Sequence, residues 1–220
     1  MLAWERHSED IKTFQCKFTR REYDPVWGPP NDPKFVDEGM IKYATPDKGL
    51  FLVEGKRAEK WICDGKSIYA YDFQQKKLTQ HKLPPEMQGK AIADGPLPFL
   101  FGAKAERLKQ RYLIRIITPP GAENEVWLEA YPRYQQDAAN FKRAELILAT
   151  NDMRPIGLQI HLPNGKCRTS YHFENIVLND PLRFFKGDPF RAYTPFGWKK
   201  VVEEPPPQQA SRKPASGDRR

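Results

Sequence analysis

The chain has 220 residues, 29% of them charged and 39% hydrophobic, with a net charge of +8 and a pI of about 9.3. That is enough for one domain with a real core, and no apolar run approaches the roughly 18–20 residues of a spanning helix. The basic balance raises nucleic acid or an anionic membrane surface as partners.

Met1–Arg6 meets charge at once and contains no apolar export-signal core, which on the residues alone predicts a cytoplasmic chain. Residues 1–12 predict a short helix. Phe14, Cys16 and Phe18 then alternate with Gln15, Lys17 and Thr19, the pattern of a half-buried strand. Pro25 to Pro33 is a loop, and strands are expected at 35–44 and 50–55. Asp64-Gly65 between two β-prone runs predicts a hairpin over 58–73, because glycine takes positive φ without steric cost. A strand at 76–82 and an irregular stretch, Pro84 to Gly95, follow. Pro96 to Phe101 is an apolar plug, stiffened by Pro96 and Pro98, ahead of a helix over 103–111. On that helix Ala105, Leu108 and Tyr112 share one face, and Lys104, Arg107 and Arg111 another.

Strands at 112–118 and 125–131 flank Pro119-Pro120-Gly121, a helical turn falls within 134–143 with Asp137 as its cap, and 145–149 is a strand before the Asn151-Asp152 turn. The clearest hairpin is 156–176, turning at the two residues Asn164-Gly165. It pairs Leu162 with Cys167, Ile160 with Thr169, Leu158 with Tyr171 and Ile156 with Phe173. The polar face carries Gln159, His161, Arg168, Ser170 and His172. Residues 203–220 are a Pro-rich tail expected to be disordered, which leaves 1–202 as a single domain. The tail carries four basic residues against three acidic ones, so +7 of the +8 belongs to the folded part.

About ten strands with few helices predict a mainly β (α+β) fold, one large antiparallel sheet that curls, with the helices and the plug covering its concave face. Residues expected to line that face are Phe51, Val53, Trp61, Ile68, Leu97, Phe99, Leu100, Phe101, Leu158, Ile160 and Phe173. Tightly packed, they fill an ordinary core. Loosely covered, they line a cavity for acyl chains, at about 0.8 kcal/mol per buried methylene. Lys104, Arg107 and Arg111 are either a solvated helix face or a basic surface for anionic headgroups or an acidic partner. The four histidines have no metal-ligand spacing, and His161 is expected beside a cation, Arg168. Neither a metal nor a cofactor is expected. Without G-x-S-x-G, a phosphate loop or a Cys-His pattern, an enzyme is not expected either. Cys16, Cys63 and Cys167 read as three buried thiols, with one disulfide and a free thiol as the alternative. Lys and Arg are interleaved with acids along the chain, and no RNA-binding strand motif occurs, so nucleic acid is not an expected partner.

Two segments carry a family resemblance. The hairpin Trp61 to Asp72, with its Asp-Gly-Lys turn and aromatic second strand, resembles the signature hairpin of the LolA-type lipoprotein carriers. Phe190-Arg191-Ala192-Tyr193-Thr194-Pro195-Phe196-Gly197 resembles the closing F-x-F-x-P-P-x-G segment of the same family. The resemblance spans residues 10–201 and extends to the LolA/LolB/RseB superfamily. It is nearest an uncharacterised bacterial branch, through the run from Gly89 to Arg115. It implies a half-barrel with a helical lid, and a monomeric exported or periplasmic protein whose export signal has been removed. The implied function is non-catalytic binding of lipid or lipoprotein acyl chains, with an envelope protein as a further partner. In the carriers an arginine-proline pair latches the lid. Here that position is Thr45-Pro46, followed by Leu50 or Phe51 after a short insertion, so the latch is not carried over. Two other readings remain open at this point. One is an envelope sensor or protein-binding scaffold, with a filled cavity and a large exposed apolar patch. The other is a nucleic-acid binder with strongly salt-dependent affinity.

Overall fold

Runs of β-branched and aromatic residues alternating with polar ones build strands, and they do so through most of this chain. The computed structural model describes residues 11–89, 105–181 and 187–205. The left half of its sheet holds β1 Thr13–Tyr23, β2 Phe35–Ala44, β3 Lys48–Val53, β4 Glu59–Asp64, β5 Ser67–Asp72 and β6 Lys77–Lys82. The right half holds β7 Tyr112–Ile116, β8 Glu125–Pro132, β9 Arg143–Ala149, β10 Pro155–His161 and β11 Arg168–Leu178. A twelfth strand, β12 Lys199–Glu203, returns to the left edge. The order is β12-β6-β5-β4-β3-β2-β1-β11-β10-β9-β8-β7. The sheet is open and curved, not closed into a barrel. Two short helices, α1 Ala105–Arg111 and α2 Gln135–Ala138, accompany it. No described helix is long and apolar enough to cross a membrane.

The expected antiparallel sheet is present, with two differences. It has twelve strands, and β12 lies parallel to β6. The short final strand Lys-Lys-Val-Val-Glu carries no alternation long enough to predict it. It ends at Glu203, where the tail was expected to begin, and Glu203 and Glu204 pair with His81 and Lys82. The helix expected at 1–12 and the plug at 96–101 lie wholly or mostly outside the described residues, as do 206–220.

Register assigns each side chain to a face. Phe14, Cys16 and Phe18 stand opposite Tyr43, Ile41 and Gly39, and the last two stand opposite Phe51 and Val53. Across β1, Phe173 faces Phe18, and Leu158, Leu146 and Leu128 continue the same face outward. These residues form the main core on the inner face, joined by Leu108 of α1, Tyr112 and Phe141. Tyr112 and Phe141 stack at 5.9 Å. The pairs Leu158–Tyr171 and Ile160–Thr169 occur as expected, and Gly157 stands opposite His172. The β10–β11 ladder ends at Gly157 opposite His172, so the expected pair of Ile156 with Phe173 is not part of it; β10 has an irregularity against β9 between Pro155 and Gly157. Leu162 stands opposite Cys167 as expected, and the turn at Asn164-Gly165 is closed by the Gly165 amide donating to the Leu162 carbonyl. The Leu162 amide donates to Cys167, and Asn164 Oδ1 accepts from the amides of Lys166 and Cys167.

The sheet also has a second core, on its outer face. Leu50, Ile62, Tyr71 and Leu78 are buried there under Phe190, Ala192 and Trp198. Tyr71 pins this cover: its hydroxyl donates to the Tyr193 carbonyl at 2.9 Å and accepts from the Tyr193 amide at 3.2 Å. A single covered face was expected. The signal for two lies in Ile62-Cys63 and in Ile68 to Tyr71, where apolar and aromatic residues are consecutive, as strands buried on both faces require.

Gly39 is where the backbone needs a missing side chain. A Cβ there would overlap the Leu52 carbonyl oxygen and stand 2.5 Å from Phe18 Cζ. Gly39→Ala should therefore destabilise the fold by about 1–3 kcal/mol through overpacking, measured as a lower urea midpoint with unchanged slope.

Candidate functional site

The inner face is built by alternation, and of the residues expected there the described ones all share it. They divide by burial. Val53, Leu158 and Phe173 are at most 4% exposed and belong to the packed core. Phe51, Ile68 and Ile160 are half-buried, and Trp61 is 45% exposed. Phe51 and Trp61 are direct cross-strand neighbours, and Ala70 stands opposite Trp61 on the other side. The small alanine leaves the indole without a large partner on β5. Phe18 and Phe51 stack at 5.2 Å, with Tyr171 edge-on to both, so the aromatic surface continues from the core to Trp61. Leu97, Phe99, Leu100, Phe101 and Lys104 lie outside the described residues, as does the side chain of Arg107.

A charge network closes one end of this surface. Arg20, 5% exposed, donates to Asp37 and Glu59, and Arg57 donates to Glu22 and Asp37. Burial works against the charge on Arg20, but Glu59 and Asp37 outweigh it and raise the guanidinium pKa. Burial pushes the Asp37 carboxyl up, and Arg57 and Arg20 pull it below its usual range. The result is a polar rim on an apolar surface, with every arginine held by carboxylates.

Arg111 is placed differently from the expected basic surface. It donates to both oxygens of Asp137, at 3.2 and 2.6 Å, and Asp137 is 4% exposed. Asp137 is thus the partner of α1 and not the cap of α2, whose N-cap residue is Tyr134.

Sequence reasoning missed a ladder on the outer face of β7–β10. Glu129 and Glu145 are directly opposite each other and nearly fully buried. Arg143 lies between them, at 3.1 Å from Glu129 Oε1 and 3.0 Å from Glu145 Oε1, and Arg115 pairs with Glu129 from β7. Gln159 donates to Glu145 at 2.6 Å. His161 Nε2 lies 3.0 Å from Arg143 Nη2 and 3.2 Å from Glu145 Oε1. Whether that nitrogen donates or accepts depends on the tautomer of the ring. The cation touching His161 is therefore Arg143, while its backbone neighbour Arg168 stacks on Tyr23. Among the described residues no cluster of three His, Cys, Asp or Glu could hold a metal. The alternation of Glu129 with Tyr131 and of Arg143 with Glu145 was visible, but their meeting depends on register.

A cleft of about 360 Å³ lies on the outer face beside the segment 187–190, lined in part by Gln15, Lys42, Lys48, Val177, Asp188 and Phe190. None of the expected site residues lines it. All three cysteines are free. Cys16 and Cys63 are buried, whereas Cys167 is only half-buried, contrary to expectation. Burial pushes the Cys16 thiol up to about 12.

No family model matches the chain, and no curated protein matches it. Among solved structures it is similar to a LolA superfamily protein from Nitrosomonas europaea (10% identity, TM-score 0.38, 84% of this chain and 96% of that one). It is also similar to a putative outer membrane lipoprotein-sorting protein domain from Vibrio parahaemolyticus (11%, 0.43, 82% and 91%). A third is the MucA/MucB complex of Pseudomonas aeruginosa (13%, 0.44, 82% and 58%).

The ladder makes a pH-dependent prediction. Burial raises the Glu129 and Glu145 pKa values, but their bonds to Arg115 and Tyr131, and to His161 and Gln159, with the Arg143 charge, outweigh it and hold both low. A folded pKa below the unfolded one gives stability that is present above about pH 4.3 and lost as pH falls through the folded value. Arg143→Met should cost about 3 kcal/mol at neutral pH, and the deficit should shrink on acidification. Urea titrations across pH measure both. With thiol reagents at neutral pH, Cys167 should react first and Cys16 only on unfolding.

Proposed function

We propose that the chain is a non-catalytic, exported binding protein of the cell envelope that buries acyl chains of a lipid or lipoprotein against the inner face of its sheet. The observation that carries this reading is the half-exposed Trp61 beside Phe51, an aromatic surface continuous with the core. A soluble fold gains from covering such a surface, and each ligand methylene buried there contributes about 0.8 kcal/mol. The split by burial refines the site. Val53, Leu158 and Phe173 are its floor, and Phe51, Trp61 and Ile68 make the contact, together with Leu97, Phe99, Leu100 and Phe101. The resemblance of the Trp61–Asp72 hairpin to the carrier family supports the same class of ligand.

The test is uptake of a fluorescent fatty acid by the purified chain, alongside native mass measurement after isolation from a lipid-containing source. Trp61→Glu and Phe99→Glu should each weaken uptake by about tenfold, since each puts a charge into an apolar contact. Leu113→Glu, on the outer face of β7, should not. No uptake, together with a clean apo mass, would overturn the reading and leave a scaffold whose inner face is filled core.

A further inference from the structure

The strands share two ends, and the loops at those ends differ in chemistry. At one end lie the loops 24–34, 54–58, 73–76, 133–142 and 162–167, and β12 begins there as well, Lys199 being opposite Lys77. This end exposes Val26 (75%), Trp27 (70%), Phe73, Tyr134 and a fully exposed Phe196, two residues before Trp198. At the opposite end the loops 45–47, 65–66, 117–124 and 150–154 expose no large hydrophobic residue, and the segment 83–89 that follows β6 exposes one, Met87 (39%). Scattered single apolar side chains on a surface are ordinary. Five on the loops of one end, against Met87 alone at the other, are not scattered.

Charge follows the same division. Arg57 and Asp137 are tied into ion pairs. Leaving them out, the loops at the aromatic end carry Lys34, Lys56, Lys76, Arg133, Lys142 and Lys166 against Asp24, Asp32 and Glu54. The opposite loops carry Lys66 and Arg154 against Asp47, Glu123 and Asp152.

The Trp27 loop is built, not frayed. The Trp27 amide donates to the Asp24 carbonyl at 2.9 Å, and the Val26 amide to Asp24 Oδ1 at 3.0 Å. Arg168 stacks over Tyr23 and donates to the Pro30 carbonyl at 2.9 Å. Lys34 Nζ sits 4.4 Å from the Trp27 ring centroid. A rigid loop that holds an indole in water beside an ammonium matches the layout of a bilayer interface, where aromatic rings sit at headgroup level and cations meet phosphates.

We propose that this end of the sheet is a docking edge for an anionic lipid bilayer, with Val26, Trp27, Phe73, Tyr134 and Phe196 entering the interfacial zone and the surrounding lysines and Arg133 contacting headgroup phosphates. The edge is separate from the inner-face ligand surface, and docking requires no bound ligand.

Co-sedimentation of the full chain with vesicles tests it. Vesicles of phosphatidylglycerol and phosphatidylethanolamine should retain the chain, vesicles of phosphatidylcholine alone should retain much less, and added salt should release it. Trp27→Glu and Phe196→Glu should each weaken retention by about tenfold. Ile116→Glu, exposed at the other end of the sheet, should leave it unchanged. Circular dichroism checks that each variant folds, and two separate positions keep the test valid if one does not. A chain that stays in the supernatant with every vesicle overturns the proposal, as does equal weakening by Ile116→Glu. A dimer in sedimentation velocity that Trp27→Glu abolishes, without vesicle binding, would instead assign the edge to a second copy. The assay contains no free fatty acid, so its failure leaves the acyl-chain reading standing.

Discussion

Phe18 stands near the middle of the sheet, opposite Gly39 on one neighbour and Phe173 on the other, with its ring stacked on Phe51. Three strands and both halves of the inner face meet at that side chain. Because strand side chains alternate with a period of two, a one-residue slip of β1 would turn Phe14, Cys16 and Phe18 outward and bring Lys17 inward. The gap over Gly39 admits the ring in only one register. The positions of Trp61 to one side and Leu158 to the other follow from that choice.

Charge is buried on both faces and compensated in the same way. On the inner face, two arginines are shared among three carboxylates at the edge of an aromatic surface. On the outer face, two carboxylates that would repel across a strand pair are bridged by Arg143. Ion pairs of this kind add little net stability over apolar packing, but losing one partner is costly. They therefore act against alternative registers more than they deepen the native minimum. The outer face of β7–β10 thus carries a charged ladder, while that of β3–β6 is apolar and covered by Phe190, Ala192 and Trp198.

Local features were readable in the residues. Asp64-Gly65 and Asn164-Gly165 mark hairpins, and alternation over 14–19 and 156–176 predicts strands and their inward faces. Less legible was anything that depends on distant segments meeting. Tyr69 and Tyr71 were seen as an aromatic strand, yet nothing local shows that Tyr71 faces a cover 122 residues later. Asp137 looked like a helix cap because caps are local, and its partner Arg111 is 26 residues away. The inner-face residues were found through period two. Their division into packed floor and exposed contact depends on what lies above each one.

The outer cluster of Leu50, Ile62, Tyr71 and Leu78 lacks its cover until the chain beyond residue 187 has been made. β12 then docks on β6 across a separation of 122 residues, Lys199 beginning opposite Lys77. During synthesis the left half of the sheet therefore emerges with an apolar outer surface and an unpaired β6 edge, the two features that invite intermolecular strand pairing. Contacts this distant in sequence form late and slowly. Arrival of the final segment removes both features at once, since 190–198 covers the cluster and β12 pairs the β6 edge.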